Sequence, residues 1–172
     1  MMIIHAVQKL LNTSRIEAPL YVSQADENQK LYSWYARLAS TTFAGKLLVL
    51  YVHEPSYLTV LVPGRTLKST WPEFKVRLES LLTRHHFPAS FITHELNAAE
   101  SYIVSKTSSK SMLAIMNQML FTIEAFCHRV DRYEDINLQQ IEDSFINSPR
   151  TDKTSKWGYS TPLDFWRRQL SF

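Results

Sequence analysis

Three apolar segments in the first third of the chain have the lengths and residue types of β-strands. Residues 46–53 are apolar on both faces, as in a strand that is covered on two sides. Residues 34–39 place Trp34, Ala36 and Leu38 on one face, which is larger and more apolar than the other. Residues 57–62 are rich in aromatic and β-branched residues. The links between them are short, whereas parallel neighbours need a crossover of about a dozen residues or more. The pattern therefore predicts an antiparallel meander.

Weaker strand signals lie outside this meander. Residues 2–7 predict a strand, and residues 20–22 form a possible short edge strand within a polar loop. Residues 91–92 and 102–104 resemble short strands on either side of a helical turn. Together with the meander, these segments predict an antiparallel sheet of about four to five strands.

The first helix signal follows the meander. Thr70 and Glu73 have the spacing of a capping box, and Pro72 would occupy the first turn, where its missing amide hydrogen is tolerated. This pattern predicts a helix over residues 71–85, and because it has a single apolar stripe we expect it at the periphery of the fold. The stripe consists of Phe74, Leu78, Leu81, Leu82 and His85.

Residues 109–130 predict the longest helix. Apolar residues cover most of its circumference, so we expect it to be buried and central. This helix and the strand at residues 46–53 each need a large cover, which predicts that they pack together and bury Leu50 with Met116 or Met119. Shorter helices are predicted at residues 137–147 and from residue 161 onward.

The predicted fold class is α+β, with residues 1–172 forming a single domain. It consists of an antiparallel sheet packed against a long central helix, with additional peripheral helices. The length of 172 residues is enough to bury a core of this kind.

Composition narrows the range of functions. Glycine-rich phosphate loops are excluded because the chain has only 3 Gly, which lie far apart. The formal charge of +3 comes from scattered Lys and Arg residues, which argues against a nucleic-acid partner. No secretory signal is visible, and the apolar run at residues 47–52 is too short to cross a membrane. We expect a cytoplasmic protein with no cofactor and no membrane contact.

A polar stripe on the long helix is the main candidate site. Lys110, Asn117, Glu124 and His128 fall within about 40° of one another, and Glu124 and His128 are an i, i+4 pair. The stripe would form a binding surface, or Asn117, Glu124 and His128 would line an enzyme pocket between sheet and helix. We favour a third interpretation, in which the stripe is the solvent face of the helix. Asn117 lies between apolar residues, which favours a buried amide that hydrogen-bonds a neighbouring loop or strand.

Other candidate groups have simpler explanations. His85, His86 and His94 lack the spacing of a helical zinc site, so no metal site is predicted. Cys127 lies on an apolar helix face and is expected to be inert packing. The carboxyl-terminal segment mixes aromatic and basic residues, as surfaces that stack single-stranded nucleic acid do, although packing of the tail onto the domain is favoured. Its residues are Trp157, Tyr159, Phe165, Trp166, Arg167 and Arg168.

Three segments together resemble a family of small uncharacterised bacterial proteins. The first strand continues to Lys9-Leu10, residues 34–38 fit the pattern W-x-A-x-L, and residues 107–117 fit T-x-x-[RK]-S-x-L-[GA]-x-M-N. The chain has Lys110 where the family has Arg, and Ala114 where the family has Gly. The family is a domain of unknown function, often carried by mobile or accessory genes. The resemblance implies a shared fold and a bacterial origin, and it implies no reaction.

Three functional hypotheses follow from the sequence. The lack of catalytic motifs and the abundance of aromatic residues favour a non-enzymatic binding or interaction protein. Its partner would be a second copy of the chain, in a homo-oligomer, or another protein. The first alternative is a small enzyme that uses the polar stripe. The second is contact with single-stranded nucleic acid through Trp157, Trp166, Arg167 and Arg168.

Overall fold

The sheet has five strands and contains both parallel and antiparallel pairs. The computed structural model describes residues 1–18, 31–153 and 155–172. The strands pair in the order β4-β3-β2-β1-β5. They are β1 (Met2–Ala6), β2 (Ser33–Ser40), β3 (Leu47–His53), β4 (Thr59–Pro63) and β5 (Tyr102–Lys106).

The α+β class is confirmed, but the expectation of an all-antiparallel sheet is corrected. Strands β2, β3 and β4 form the predicted antiparallel meander. Strand β1 pairs in parallel with both β2 and β5. The physical reason is connection length: residues 7–32 separate β1 from β2, and residues 64–101 separate β4 from β5. Both segments are long enough for a crossover, whereas the links inside the meander are not.

The first helix was not predicted, and the later helices follow the predicted order with some changed boundaries. In the described part of the chain they are α1 (Gln8–Ser14), α2 (Leu67–Arg84), α3 (Ala89–Ala98), α4 (Lys110–Cys127), α5 (Leu138–Ile146) and α6 (Pro162–Leu170). A short hairpin of β6 (Arg150–Thr151) and β7 (Tyr159–Ser160) lies between α5 and α6. Residues 91–92 are part of α3, so the strand predicted there is wrong. The possible strand at residues 20–22 lies outside the described residues.

The start predicted for α2 is wrong by one turn. The side chain of Thr66 caps the helix, because its Oγ1 accepts a hydrogen bond of 3.1 Å from the Ser69 amide. The Thr70 hydroxyl donates instead to the Thr66 carbonyl, at 2.8 Å. The Tyr51 hydroxyl lies 2.7 Å from the Thr70 oxygen, which joins the helix to β3. The sequence predicted Pro72 in the first turn of the helix, but Pro72 lies inside the helix, beyond its first turn.

Two helices cover opposite faces of the sheet. Side chains of β3 alternate between the faces, so that Val49 and Tyr51 pack with α2 while Leu48, Leu50 and Val52 pack with α4 and α5. The predicted packing of the long helix on this strand is confirmed, and Leu50 is fully buried. Met116 and Met119 are also buried, on the sheet side of α4.

The relative positions expected for α2 and α4 are corrected. The four apolar residues of the α2 stripe are buried in the larger of the two core clusters, so this helix is not peripheral. One side of α4 is buried, but its Phe121 is 74% exposed. The prediction that α4 is buried around most of its circumference is therefore wrong, because the sheet covers only the side that carries Met112, Met116 and Met119.

Candidate functional site

The side of α4 that faces away from the sheet carries the predicted polar stripe. Ser109 caps the helix by accepting a hydrogen bond of 3.2 Å from the Met112 amide. Since the methionine side of the helix packs on the sheet, the opposite side is exposed along its length. We call this surface the outer face of α4. It consists of Lys110, Ala114, Asn117, Phe121, Glu124 and His128, all of which are exposed.

The outer face brings the four predicted residues onto one surface, with an aromatic ring among them. Glu124 Oε1 lies 3.7 Å from His128 Nε2, and their side chains are 56% and 65% exposed. Lys110 lies in the first turn, and Phe121 lies one turn beyond Asn117. The methionines, and not this stripe, face the space between helix and sheet. Asn117, Glu124 and His128 are thus on the opposite side of α4 from the pocket expected for an enzyme.

Asn117 is exposed, and it is fixed by a strand residue that the sequence analysis did not select. Arg37 lies in β2 on the side of the sheet that faces α4, and its Nη1 donates a hydrogen bond to Asn117 Oδ1. Burial lowers the pKa of the Arg37 guanidinium. The signal was present in the sequence, because Arg37 is the only charged residue in the predicted strand at residues 34–39. A charge within an apolar strand requires a polar partner.

The carboxyl-terminal aromatic residues divide into a buried and an exposed group. Trp166 is buried beside His53 and Phe91, so it is not available for the nucleic-acid contact suggested by the sequence. Trp157 and Tyr159 are 72% and 58% exposed. They line a cleft of about 300 Å³ between the β6–β7 hairpin and α6. Tail packing, the interpretation favoured from the sequence, describes only the first group.

The histidines do not converge on one site. His5 and His53 point to opposite faces of the sheet, with β2 between their strands. His53 is fully buried, and burial lowers its pKa to about 4. Its Nδ1 lies 2.7 Å from the Ser56 hydroxyl and its Nε2 lies 2.8 Å from the Leu31 carbonyl. The neutral ring satisfies both contacts if Nε2–H donates to Leu31 and Ser56 donates to Nδ1. This is a structural role.

A buried carboxylate that the sequence analysis missed holds α5 against the sheet. Glu142 Oε1 accepts hydrogen bonds from the Leu61 amide at 2.9 Å and from Arg77 Nη2 at 2.8 Å. Glu142 Oε2 lies 3.4 Å from Arg84 Nη2. Asp143, the next residue, accepts from Arg84 at 2.9 Å and pairs with His85 at 2.7 Å. Because the carboxylates of Glu142 and Asp143 pair with the arginine charges, we infer that this cluster stabilises the fold.

The structure also gives the position of the single cysteine and tests for a metal site. Cys127 is buried on the sheet side of α4, and burial raises the pKa of its thiol. A raised pKa opposes the thiolate form that nucleophilic or metal-binding cysteines need. Within the described ranges, no three His, Cys, Asp or Glu side chains are placed to share a metal ion. None of the helices in that part of the chain has both the length and the apolar content needed to cross a bilayer.

The sequence pattern of a protein family described as "Domain of unknown function (DUF6933)" matches residues 3–163. The match covers the sheet and the outer face of α4. The chain belongs to this family. No curated protein matches the chain.

Membership of DUF6933 supports the resemblance drawn from the sequence and assigns no activity. The matched span includes all four residues of the polar stripe, and it also includes Trp157 and Tyr159. It ends at Leu163, inside α6, so Arg167 and Arg168 lie beyond it. Function must therefore be argued from the surfaces themselves.

Proposed function

We propose that this chain is a non-enzymatic interaction domain that forms homodimers through the outer face of α4. The observation that carries the proposal is Phe121, whose ring is 74% exposed at the middle of a helix face bordered by charged residues. Exposed apolar groups rimmed by polar residues are typical of protein interfaces. A second copy would remove this ring from water.

The order of residues along the outer face is complementary to itself. Asn117 stands at the centre, with Lys110 seven residues before it and Glu124 seven residues after it. If two copies of α4 pack antiparallel about a two-fold axis at Asn117, each Lys110 lies opposite the Glu124 of the second copy. Both pairs lie roughly 10 Å from the axis, given the rise of a helix. The charges therefore attract at both ends.

The same axis supplies an apolar partner for Phe121. Phe121 follows Asn117 by four residues, and Leu113 precedes it by four. In the antiparallel pair the ring of one copy meets Leu113 of the other, and Leu113 is only half-buried within its own chain. Two aromatic–aliphatic contacts therefore form between the two charge pairs. A parallel pair would instead place Lys110 against Lys110 and Glu124 against Glu124, which is repulsive.

Arg37 prepares the centre of this interface. By bonding to Asn117 Oδ1, it fixes the amide before association. An amide oxygen accepts two hydrogen bonds, and its nitrogen donates two. The two Asn117 side chains can therefore bond to each other across the axis while each keeps its bond to Arg37. A polar pair at a helix interface sets orientation and register more than it sets affinity.

The size of the surface limits the strength of the association. An 18-residue helix face is a small part of the roughly 800 Å² per partner that stable interfaces bury. We therefore expect weak, concentration-dependent dimers, with a dissociation constant in the micromolar range or above. Glu124 and Lys110 are exposed, so their pairs should weaken as salt is raised.

Charge exchange tests the proposed pairing. Lys110→Glu or Glu124→Lys alone places like charges opposite each other and should shift sedimentation-equilibrium data toward monomer. The double variant Lys110→Glu/Glu124→Lys restores attraction and should recover dimerisation. Lys68→Glu, at an exposed position on α2, is the matched control and should behave as wild type. A wild-type chain that stays monomeric from low micromolar to near-millimolar concentration refutes the proposal.

A second pair of variants tests the apolar contact. Phe121→Ser should weaken dimerisation about tenfold, because it removes one buried aromatic contact on each side of the axis. Val76→Ser removes an exposed apolar residue of α2, which is 60% exposed, and should leave dimerisation unchanged. Equal effects of the two substitutions would mean that the interface is elsewhere.

The setting that we propose for this domain is the bacterial cytoplasm. A single buried cysteine, Cys127, is compatible with a reducing compartment, and the bacterial origin is the one implied by the sequence resemblance. Fractionation of cells that express the chain with a carboxyl-terminal tag tests this placement. Recovery in a membrane or exported fraction would contradict it.

A further inference from the structure

The positive charge of the chain is concentrated in its last 23 residues. Residues 1–149 contain fourteen Lys or Arg and fourteen Asp or Glu, so their formal charges cancel. Residues 150–172 contain five Lys or Arg and two Asp. The entire formal charge of +3 therefore resides in this segment, which carries the β6–β7 hairpin and α6. The net charge of the whole chain does not reveal this concentration.

The cleft between the hairpin and α6 combines this charge with exposed aromatic rings. Its volume is about 300 Å³, at the small end of the range of roughly 300–1,000 Å³ for ligand pockets. Trp157, Tyr159 and Pro149 supply apolar walls, and Arg168 and Asp164 supply polar ones. Trp157 is 72% exposed, which is unusual because tryptophan side chains are large and are highly buried on average.

Hydrogen bonds within the hairpin and from α6 fix the backbone beside the two aromatic residues. The Asp152 amide donates to the Gly158 carbonyl at 2.9 Å, and Gly158 adopts a positive φ of 76° between the two aromatic residues. Ser160 donates to Asp152 at 2.6 Å, and Arg168 of α6 also donates to Asp152. These bonds join the hairpin to α6, while Trp157 and Tyr159 remain exposed.

The hairpin and α6 carry several basic residues, one of which lies over an exposed ring. Lys156 Nζ lies 5.2 Å from the centre of the Trp157 ring. Arg167 is 53% exposed and lies 3.9 Å from Asp164, which is too long for a strong ion pair. Lys153 is exposed on the hairpin. Arg168 uses one of its nitrogens for Asp152 and Ser160, so further donors of its guanidinium remain.

We propose that this cleft binds single-stranded nucleic acid. A base stacks on Trp157 and Tyr159, and the adjoining phosphates contact Lys156, Arg167 and the free donors of Arg168. Stacking tolerates any base, because each has a π-face, and the cations follow the backbone. The bases of a duplex are already stacked on one another, so a double strand cannot occupy the aromatic wall. The cleft therefore discriminates for single strands and against duplexes.

Tryptophan fluorescence provides a direct measurement of this contact. The chain has four tryptophans, and Trp157 is the exposed one, whereas Trp34, Trp71 and Trp166 are buried. Stacking of a base on Trp157 quenches its emission. The titration uses wild-type protein with a thymidine oligonucleotide of about 15 nucleotides, within the usual site size, at about 50 mM salt. The matching duplex is titrated in parallel.

Salt and substitution set the expected magnitudes. With about three phosphate contacts to a single strand, raising the salt fourfold should weaken binding roughly twentyfold. Trp157→Ala should weaken binding about tenfold, measured by fluorescence anisotropy of a labelled oligonucleotide. Lys156→Glu/Arg167→Glu should weaken it further and flatten the salt dependence. Val76→Ala and Lys68→Glu, which lie outside both the cleft and the outer face of α4, should bind as wild type does.

Three results would overturn the proposal. The first is no quenching and no anisotropy change at about 50 mM salt. The second is loss of affinity in Val76→Ala or Lys68→Glu that equals the loss in Trp157→Ala. Proline-rich peptides also dock on exposed aromatic grooves. The third result is therefore that the protein binds a proline-rich peptide at the aromatic wall and does not bind the oligonucleotide.

Discussion

Removal of the Glu142 carboxylate should be among the most damaging single substitutions in the chain. The side chain is completely buried, and it joins three elements. Its Oε1 accepts from the Leu61 amide on the outer edge of β4, and from Nε and Nη2 of Arg77 on α2. Its Oε2 pairs with Arg84. In Glu142→Ala each of these donors loses an acceptor at once.

The magnitude follows from what remains after truncation. Arg77 and Arg84 have side chains that are 15% and 24% exposed, so their charges stay largely out of water without Glu142. Breaking a buried pair by removing one partner costs roughly 3–5 kcal/mol. The Leu61 amide adds a loss of about 1 kcal/mol or more. We expect Glu142→Ala to lower the free energy of unfolding by about 4 kcal/mol. Glu142→Gln keeps one oxygen and should cost about half as much.

Urea denaturation followed by circular dichroism measures this loss. With a slope of about 2 kcal/mol per molar urea, a loss of 4 kcal/mol moves the midpoint by about 2 M. Glu73→Ala, at an exposed position on α2, is the control and should move the midpoint little. All samples are compared at one low protein concentration, so that dimerisation does not contribute. A midpoint for Glu142→Ala that matches the Glu73→Ala control would refute the structural role of this carboxylate.

Three further predictions concern buried groups. Leu50→Ala should cost about 2–5 kcal/mol in urea denaturation, because Leu50 is fully buried between β3 and α4. Burial lowers the pKa of His53 to about 4, so as the pH falls the unfolded chain binds the His53 proton before the folded chain does. The free energy of unfolding should therefore decrease between pH 6.5, the ordinary histidine pKa, and pH 4. The expected loss from this residue is about 3 kcal/mol. Glu95 should have the opposite effect on the pH dependence of stability. Burial raises the pKa of Glu95 to about 7, so ionisation of this carboxyl opposes folding at higher pH. Glu95→Gln should therefore raise the free energy of unfolding at pH 8 by up to about 3 kcal/mol.

The two titrations are separated by difference measurements. The stability of wild type minus that of His53→Gln, followed from neutral pH to about pH 4, isolates the histidine, with His86→Asn at an exposed histidine as the control. The comparison for Glu95→Gln runs from about pH 8 to about pH 5, where its advantage should shrink as the wild-type carboxyl becomes protonated. A flat difference curve in either series would contradict the assigned cause.

Local patterns predicted the elements of the fold better than they predicted its pairings. Residues 46–53 are apolar on both faces, so their place between two layers followed from the sequence, and Leu50 is buried as expected. The parallel pairing of β1 did not follow, because its partners Ser33–Ser40 and Tyr102–Lys106 are distant in the chain. Strand pairing over such distances is decided by the crossovers and not by any local period.

The candidate surfaces were predictable only in part, for a similar reason. Helical periodicity placed Lys110, Asn117, Glu124 and His128 on one face, but the bond from Arg37 joins residues 80 positions apart. Trp157 and Trp166 lie in one aromatic and basic segment, yet one is exposed and the other is buried. Composition cannot separate them, since burial depends on what the rest of the chain places beside each ring.

The position of β1 at the interior of the sheet has a consequence for folding during synthesis. Strand β1 is synthesised before both of its neighbours, which are Ser33–Ser40 and Tyr102–Lys106. Until the ribosome has released residue 106, one edge of β1 therefore has no partner. The β2–β4 meander, whose contacts are close in sequence, can assemble earlier. A nascent chain that pauses between residues 63 and 106 presents an unpaired strand edge, and pausing in this interval should increase aggregation.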